Sequence, residues 1–147
     1  MGKGKAVLHE ASSQASSQAA PGAEKWVLVG NAVAATVSAV SCVVAMADPG
    51  VLLQGDTPGG GIELYVQAYA VRQLPLTAAV LASLTARYRR HLMPVLVVSG
   101  IAQVGDALIG ATSGIPGMAV GGTVAAALHL ASAAWLGKRR TPAALPA

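Results

Sequence analysis

The chain has no phenylalanine, a single cysteine and few charges, with Asp, Glu, Lys and Arg making up 11% of its 147 residues. Each shortage excludes something. Cys42 alone cannot form an intramolecular disulfide, a Cys-x-x-Cys redox pair or a cysteine-ligated cluster, and it reads as a small apolar residue. A soluble domain carries about a quarter charged residues, so the polar surface that keeps a protein in water is missing. Aromatics are limited to two Trp and three Tyr. They do not interleave with the basic residues, and no nucleic-acid motif is present, so the net charge of +4 does not point to nucleic acid. No catalytic or cofactor-binding motif stands out, and no cofactor is expected.

What the chain does have is apolar sequence, 54% of residues with a mean hydropathy of +0.57, gathered into four blocks. They run over Trp26–Ala47, about Leu64–Ala86, Leu92–Ala111 and Gly117–Leu136. Each has the ~20 residues that cross ~30 Å of hydrocarbon at 1.5 Å per residue. Residues 1–25 are polar and nearly repetitive (Ala11-Ser12-Ser13-Gln14, then Ala15-Ser16-Ser17-Gln18), and read as a disordered tail. The first apolar block starts too far from Met1 for a cleaved signal peptide, so it is expected to be helix 1 of the mature protein. Ala6 stands where a myristoylation signal needs Ser or Thr. The Gly- and Pro-rich stretch from Asp48 to Gly61 is a loop. Arg87-Tyr88-Arg89-Arg90-His91 and Ser113-Gly114-Ile115-Pro116-Gly117 are short turns.

Charge placement sets the expected orientation. With four crossings, Lys3, Lys5, Lys25, Arg87, Arg89, Arg90, Lys138, Arg139 and Arg140 share one side, while Asp48, Asp56 and Glu63 take the other. Cytoplasmic flanks are enriched in Lys and Arg, so both termini are expected in the cytoplasm and the protein in the inner (plasma) membrane. Trp26, Tyr88 and Trp135 fall at the inner interface as anchors. His91, beside three arginines, is expected to meet lipid headgroups. The reading is an all-α, integral membrane, antiparallel four-helix bundle. It comprises a tail over 1–25, the bundle over 26–137 and a basic cytoplasmic end over 138–147. Recurrent glycines (Gly100, Gly105, Gly110, Gly117, Gly121, Gly122) permit close helix contact in lipid.

Three ionisable residues interrupt the spans: Arg72, Asp106 and His129. Such groups cost roughly 2.5–3.5 kcal/mol each in hydrocarbon and are paired or functional. Counted from the outer ends, they lie ~13, ~8 and ~18 Å deep. Side chains lean toward their own helix N-terminus, so the three are expected to converge in the outer half. Tyr65 and Tyr69 share the Arg72 face, Gln103 lies one turn from Asp106, and Pro75 frees the Val71 carbonyl beside Arg72. The candidate binding set is therefore Tyr65, Tyr69, Arg72, Gln103, Asp106 and His129. Metal binding is excluded, since Asp106 and His129 are too few ligands, and a bis-histidine haem lacks its second membrane histidine. Asn31 and the Ser and Thr of helix 1 carry no charge, so helix 1 is expected to frame the bundle.

Tyr69-x-x-Arg72 in the second span, Gly105-Asp106-Ala107 in the third and His129 in the fourth resemble the small membrane proteins of the DoxX-like group over about residues 26–137. Val71 stands where that group carries Gly. The resemblance implies a four-helix bundle with a lipophilic ligand such as a quinone, and a membrane oxidoreductase or a biosynthetic enzyme as partner. Three functions are compatible with these residues. The first is an accessory protein that binds a lipophilic molecule. The second is a small membrane enzyme (isomerase, cyclase or hydrolase) with Asp106 and His129 as acid and base and Arg72 stabilising an oxyanion. The third is a structural subunit locked by an Arg72–Asp106 pair. The bilayer and a second copy of the chain complete the expected partners. Small multidrug transporters, of similar size, need a carboxylate in the first span, where this chain has none.

Overall fold

A computed structural model describes residues 21–52 and 60–140, and these form an all-α four-helix bundle. The helices are α1 (Pro21–Ala47), α2 (Gly60–Ser83), α3 (Leu92–Thr112) and α4 (Pro116–Arg140). Short 3-10 turns at Pro49–Leu52 and Arg89–His91 follow α1 and precede α3. The tail over residues 1–20, Asp56 in the first loop and the chain end over 141–147 lie outside the described residues. α1 begins before Trp26 because Pro21 suits a first helical position and Glu24 faces the positive end of the helix dipole. α2 stops at Ser83, short of Ala86. There Ser83 Oγ donates to the Val80 carbonyl at 2.8 Å and Thr85 Oγ1 to that of Ala82 at 2.7 Å, local bonds that favour a turn over a further helical one.

Two contacts fix the antiparallel order. An ion pair between Glu24 and Arg89 joins the start of α1 to the α2–α3 turn, and the Tyr65 hydroxyl reaches Met118 Sδ at 3.8 Å, joining the starts of α2 and α4. One end of the bundle therefore gathers Lys25, Arg87, Arg89, Arg90, Lys138 and Arg139. The other holds the α3–α4 turn, where Gly114 takes the left-handed conformation (φ +68°). The Ile115 amide returns to the Gly110 carbonyl at 2.8 Å, closing α3 before Pro116 starts α4.

α3 and α4 form the closest pair, α1 and α2 the next, and the α2–α3 and α1–α4 seams are looser. Glycine explains the closeness of α3 and α4. A Cβ at Gly110 would meet the Ala119 nitrogen at 2.4 Å, and one at Gly122 would meet the Ala107 nitrogen at 2.7 Å. The burial pattern is inverted relative to a soluble bundle. Val33, Val37, Val98, Ile101, Leu108, Val120 and Val124 are exposed, while Asn31, Gln73, Thr77, Ser99, Gln103, Asp106, His129 and Ser132 are buried. α1, the stretch Arg89–Thr112 and α4 are long and apolar enough to cross a membrane. α2 is as long, but Glu63, Gln67, Arg72 and Gln73 interrupt its apolar stretch, so among the described residues three of the four expected crossings have the length and apolarity to span.

Gly121 and Gly122 provide a matched test, since nothing lies within 4 Å of a Cβ built at Gly121. Gly122→Ala is expected to lower stability by about 1–3 kcal/mol through overpacking, and Gly121→Ala to leave it unchanged or raise it slightly. Thermal denaturation in detergent compares the two, and equal effects would refute the close α3–α4 approach.

Candidate functional site

Each helix turns one stripe of residues, polar ones among them, to the interior. On α3 the buried set is Leu92, Leu96, Ser99, Gly100, Gln103, Asp106 and Gly110, which recur every three or four residues apart from the adjacent Ser99 and Gly100. Asp106 is therefore a fully inward residue, 2% exposed. On α2 the inward positions are Val66, Ala70, Gln73, Thr77 and Val80. Arg72 sits one position off that stripe, at its edge, and reaches across the α2–α3 seam to donate from Nη2 to Asp106 Oδ1. The pair is asymmetric, with the Arg72 side chain 41% exposed and that of Asp106 3%. The Arg72 guanidinium lies 5.4 Å from the centroid of the Tyr69 ring, a cation–π distance. Asp106 Oδ2 is buried without a hydrogen-bond partner.

His129 belongs to a different cluster. Its Nδ1 lies 2.7 Å from Asn31 Oδ1, while Asn31 Nδ2 donates to the Val27 carbonyl at 2.6 Å and to Ser132 Oγ at 2.8 Å. A backbone carbonyl can only accept, so the Asn31 nitrogen must face Val27 and its oxygen must face His129. That oxygen accepts from Nδ1–H, which leaves Nε2 of the neutral imidazole with the lone pair. This second tie crosses the α1–α4 seam. Helix α1 is thus more than a frame, because Asn31, 0% exposed, is the centre of the cluster.

Between the two ties lies a cavity of about 10 Å³ lined by all four helices. Ser38, Gln73, Thr77, Ser99, Gln103 and His129 supply its polar wall. Gln73 Oε1 and Ser99 Oγ are buried there without a protein partner. Toward the basic end an aliphatic cluster closes the interior, with Leu92 and Leu96 at its centre and Leu28, Leu84 and Leu136 packed around it.

Of the six residues predicted to form one site, Tyr69, Arg72 and Asp106 come together. Tyr65 extends that group toward Met118 on α4, Gln103 lines the cavity, and His129 pairs with Asn31. Asn31, Ser132, Gln73 and Ser99 were not anticipated. One signal was available for the first: Asn31 is the only asparagine of the chain, an amide inside an apolar block, opposite a His and a Ser three residues apart. Among the described residues no group of three or more His, Cys, Asp or Glu could hold a metal ion.

The two ties make separable predictions. Asn31→Leu leaves the His129 Nδ1–H without its acceptor, and a loss of about 1–3 kcal/mol is expected. In double-mutant cycles, Asn31 with His129 and Arg72 with Asp106 should each show strong coupling, and Asn31 with Asp106 little. Coupling between Asn31 and Asp106 as large as that within either tie would show a single network instead. None of the family models, curated proteins or solved structures compared with the chain matches it, so the geometry of the ties and the cavity is the ground for its function.

Proposed function

We propose that this is a multi-pass plasma-membrane protein with both termini cytoplasmic, and that it binds the polar head of a lipophilic small molecule, quinone-like or natural-product-like, at Arg72 in the outer half of the bilayer. The gathering of Lys and Arg at one end supports the orientation. The ligand reading rests on one observation: Arg72 is 41% exposed while its partner Asp106 is 3% exposed. In this orientation Arg72 stands near the middle of α2 and its side chain leans toward the outer end of the helix, at a depth where the bilayer offers no water. Asp106 takes a hydrogen bond from one guanidinium nitrogen, and the exposed remainder calls for an oxygen from outside the bundle.

The chemistry of the edge defines the class of head group. A carbonyl, phenolate or carboxylate oxygen accepts from guanidinium, and the Tyr69 ring beside it offers an aromatic face. The body of the ligand would lie along the exposed aliphatic surface near Leu64 and Val71. A cavity of about 10 Å³ has room for roughly one water, so the ligand is read as lying against the bundle. A lipophilic ligand is also what the DoxX-like resemblance implies. A structural subunit is the second reading, favoured by the way the two ties bridge the two looser seams. Acid–base catalysis by Asp106 with His129 fits less well, because each is engaged by a different partner.

Native mass spectrometry of protein purified in mild detergent separates the first two. Wild type is expected to carry a defined lipophilic molecule that Arg72→Gln loses and Asn31→Leu keeps. A wild type without such a molecule, with Arg72→Gln merely melting at lower temperature, would hand the pair to helix packing. The orientation is tested in a Cys42→Ala background. Ser113→Cys should react with a membrane-impermeant maleimide on intact cells and Lys138→Cys only after permeabilisation; the opposite result would invert the topology.

A further inference from the structure

The interior leaves three hydrogen-bonding atoms around the central cavity that the ligand site does not use. Gln73 is 3% exposed and Ser99 is 4% exposed, and their Oε1 and Oγ have no protein partner. His129, 3% exposed, lines the same cavity. Its Nδ1 is committed to Asn31, so its Nε2 is an acceptor. Gln73 Oε1 can only accept, whereas the Ser99 hydroxyl can donate. A bare acceptor or hydroxyl in an apolar interior costs about 1–3 kcal/mol, and two such oxygens with the His129 ring beside one space of about 10 Å³ form a site matched to one small donor–acceptor molecule.

We infer that the central cavity is a binding site for a single water molecule, held between Gln73 Oε1, Ser99 Oγ and His129 Nε2. The water donates one proton to Gln73 Oε1 and the other to His129 Nε2, and accepts from the Ser99 hydroxyl. That gives it three hydrogen bonds, the usual number for a buried water. A space of about 10 Å³ matches one water, and its polar wall sets it apart from a dry void, which is lined by apolar groups. The aliphatic cluster around Leu92 and Leu96 separates this water from the basic end. The site joins all four helices through one molecule: α2 by Gln73, α3 by Ser99, α4 by His129, and α1 through Asn31. It stands apart from the Arg72 surface and does not depend on what binds there.

Nitrogen-15 NMR of histidine-labelled protein in lipid nanodiscs tests the site, with His9→Gln and His91→Gln leaving His129 as the sole histidine. The expected spectrum has Nδ1 protonated and Nε2 unprotonated, with the Nε2 resonance displaced from the free value by hydrogen bonding and correlated with water protons. Ser99→Ala and Gln73→Met, which remove the other anchors, should move Nε2 back toward the free value. Gln73→Met should also lower the melting temperature. An Nε2–H tautomer, or an Nε2 resonance unmoved by both substitutions, would overturn the inference. So would a melting temperature raised by Gln73→Met, because removing a truly orphaned oxygen from a dry cavity stabilises. If neither variant folds, the wild-type tautomer and its water correlation decide alone.

Discussion

A polar side chain that faces the inside of an apolar bundle must find its partner on another helix, and that requirement organises this protein. Where lipid tails are as apolar as Leu, hydrophobicity cannot draw helices together, and close packing and hydrogen bonds must. The chain uses each where the other is weak. α3 and α4 approach through Gly110 and Gly122, whose absent side chains let backbone meet backbone. Across the looser seams the connection is polar instead, Arg72 with Asp106 between α2 and α3 and Asn31 with His129 and Ser132 between α1 and α4.

The two ties differ in completeness, and the proposed function rests on the difference. Every polar atom of the Asn31 side chain is engaged, so that tie specifies packing and little else. Arg72 is half satisfied: one nitrogen is held while 41% of the side chain is open to the outside of the bundle. A buried ion pair chosen only for packing gains nothing from leaving its cation exposed, since the desolvation cost remains while the compensating contacts are lost. The exposed Arg72 side chain beside Tyr69 is the feature on which the proposed docking of a ligand rests.

Much of this was legible in the sequence. Helix number and order, the basic end and the inverted composition follow from block length and charge placement, which hydropathy records directly. Arg72 and Asp106 were legible as a pair because charge in an apolar segment is conspicuous and helical side chains lean in a known direction. His129 was assigned to the same group because it is ionisable, whereas its true partner is an uncharged amide that leaves no charge signature. The rotation of α1 about its axis was hidden for a related reason. When a helix shows Val to one side and Ala to the other, hydropathy barely separates lipid face from interior, and the single Asn31 carried the information. The early end of α2 turned on the hydroxyl bonds of Ser83 and Thr85, a local competition that block length does not register.

The most direct measurement uses a photo-crosslinking amino acid at Val71, which is 76% exposed and adjacent to Arg72, in living cells with and without Arg72→Gln. A discrete small-molecule adduct on the wild-type chain, absent from the Arg72→Gln chain, is the result expected of a ligand head held by Arg72. Crosslinking of one chain to a second copy, or the same adducts in both proteins, would contradict it and return Arg72 to the packing of the bundle.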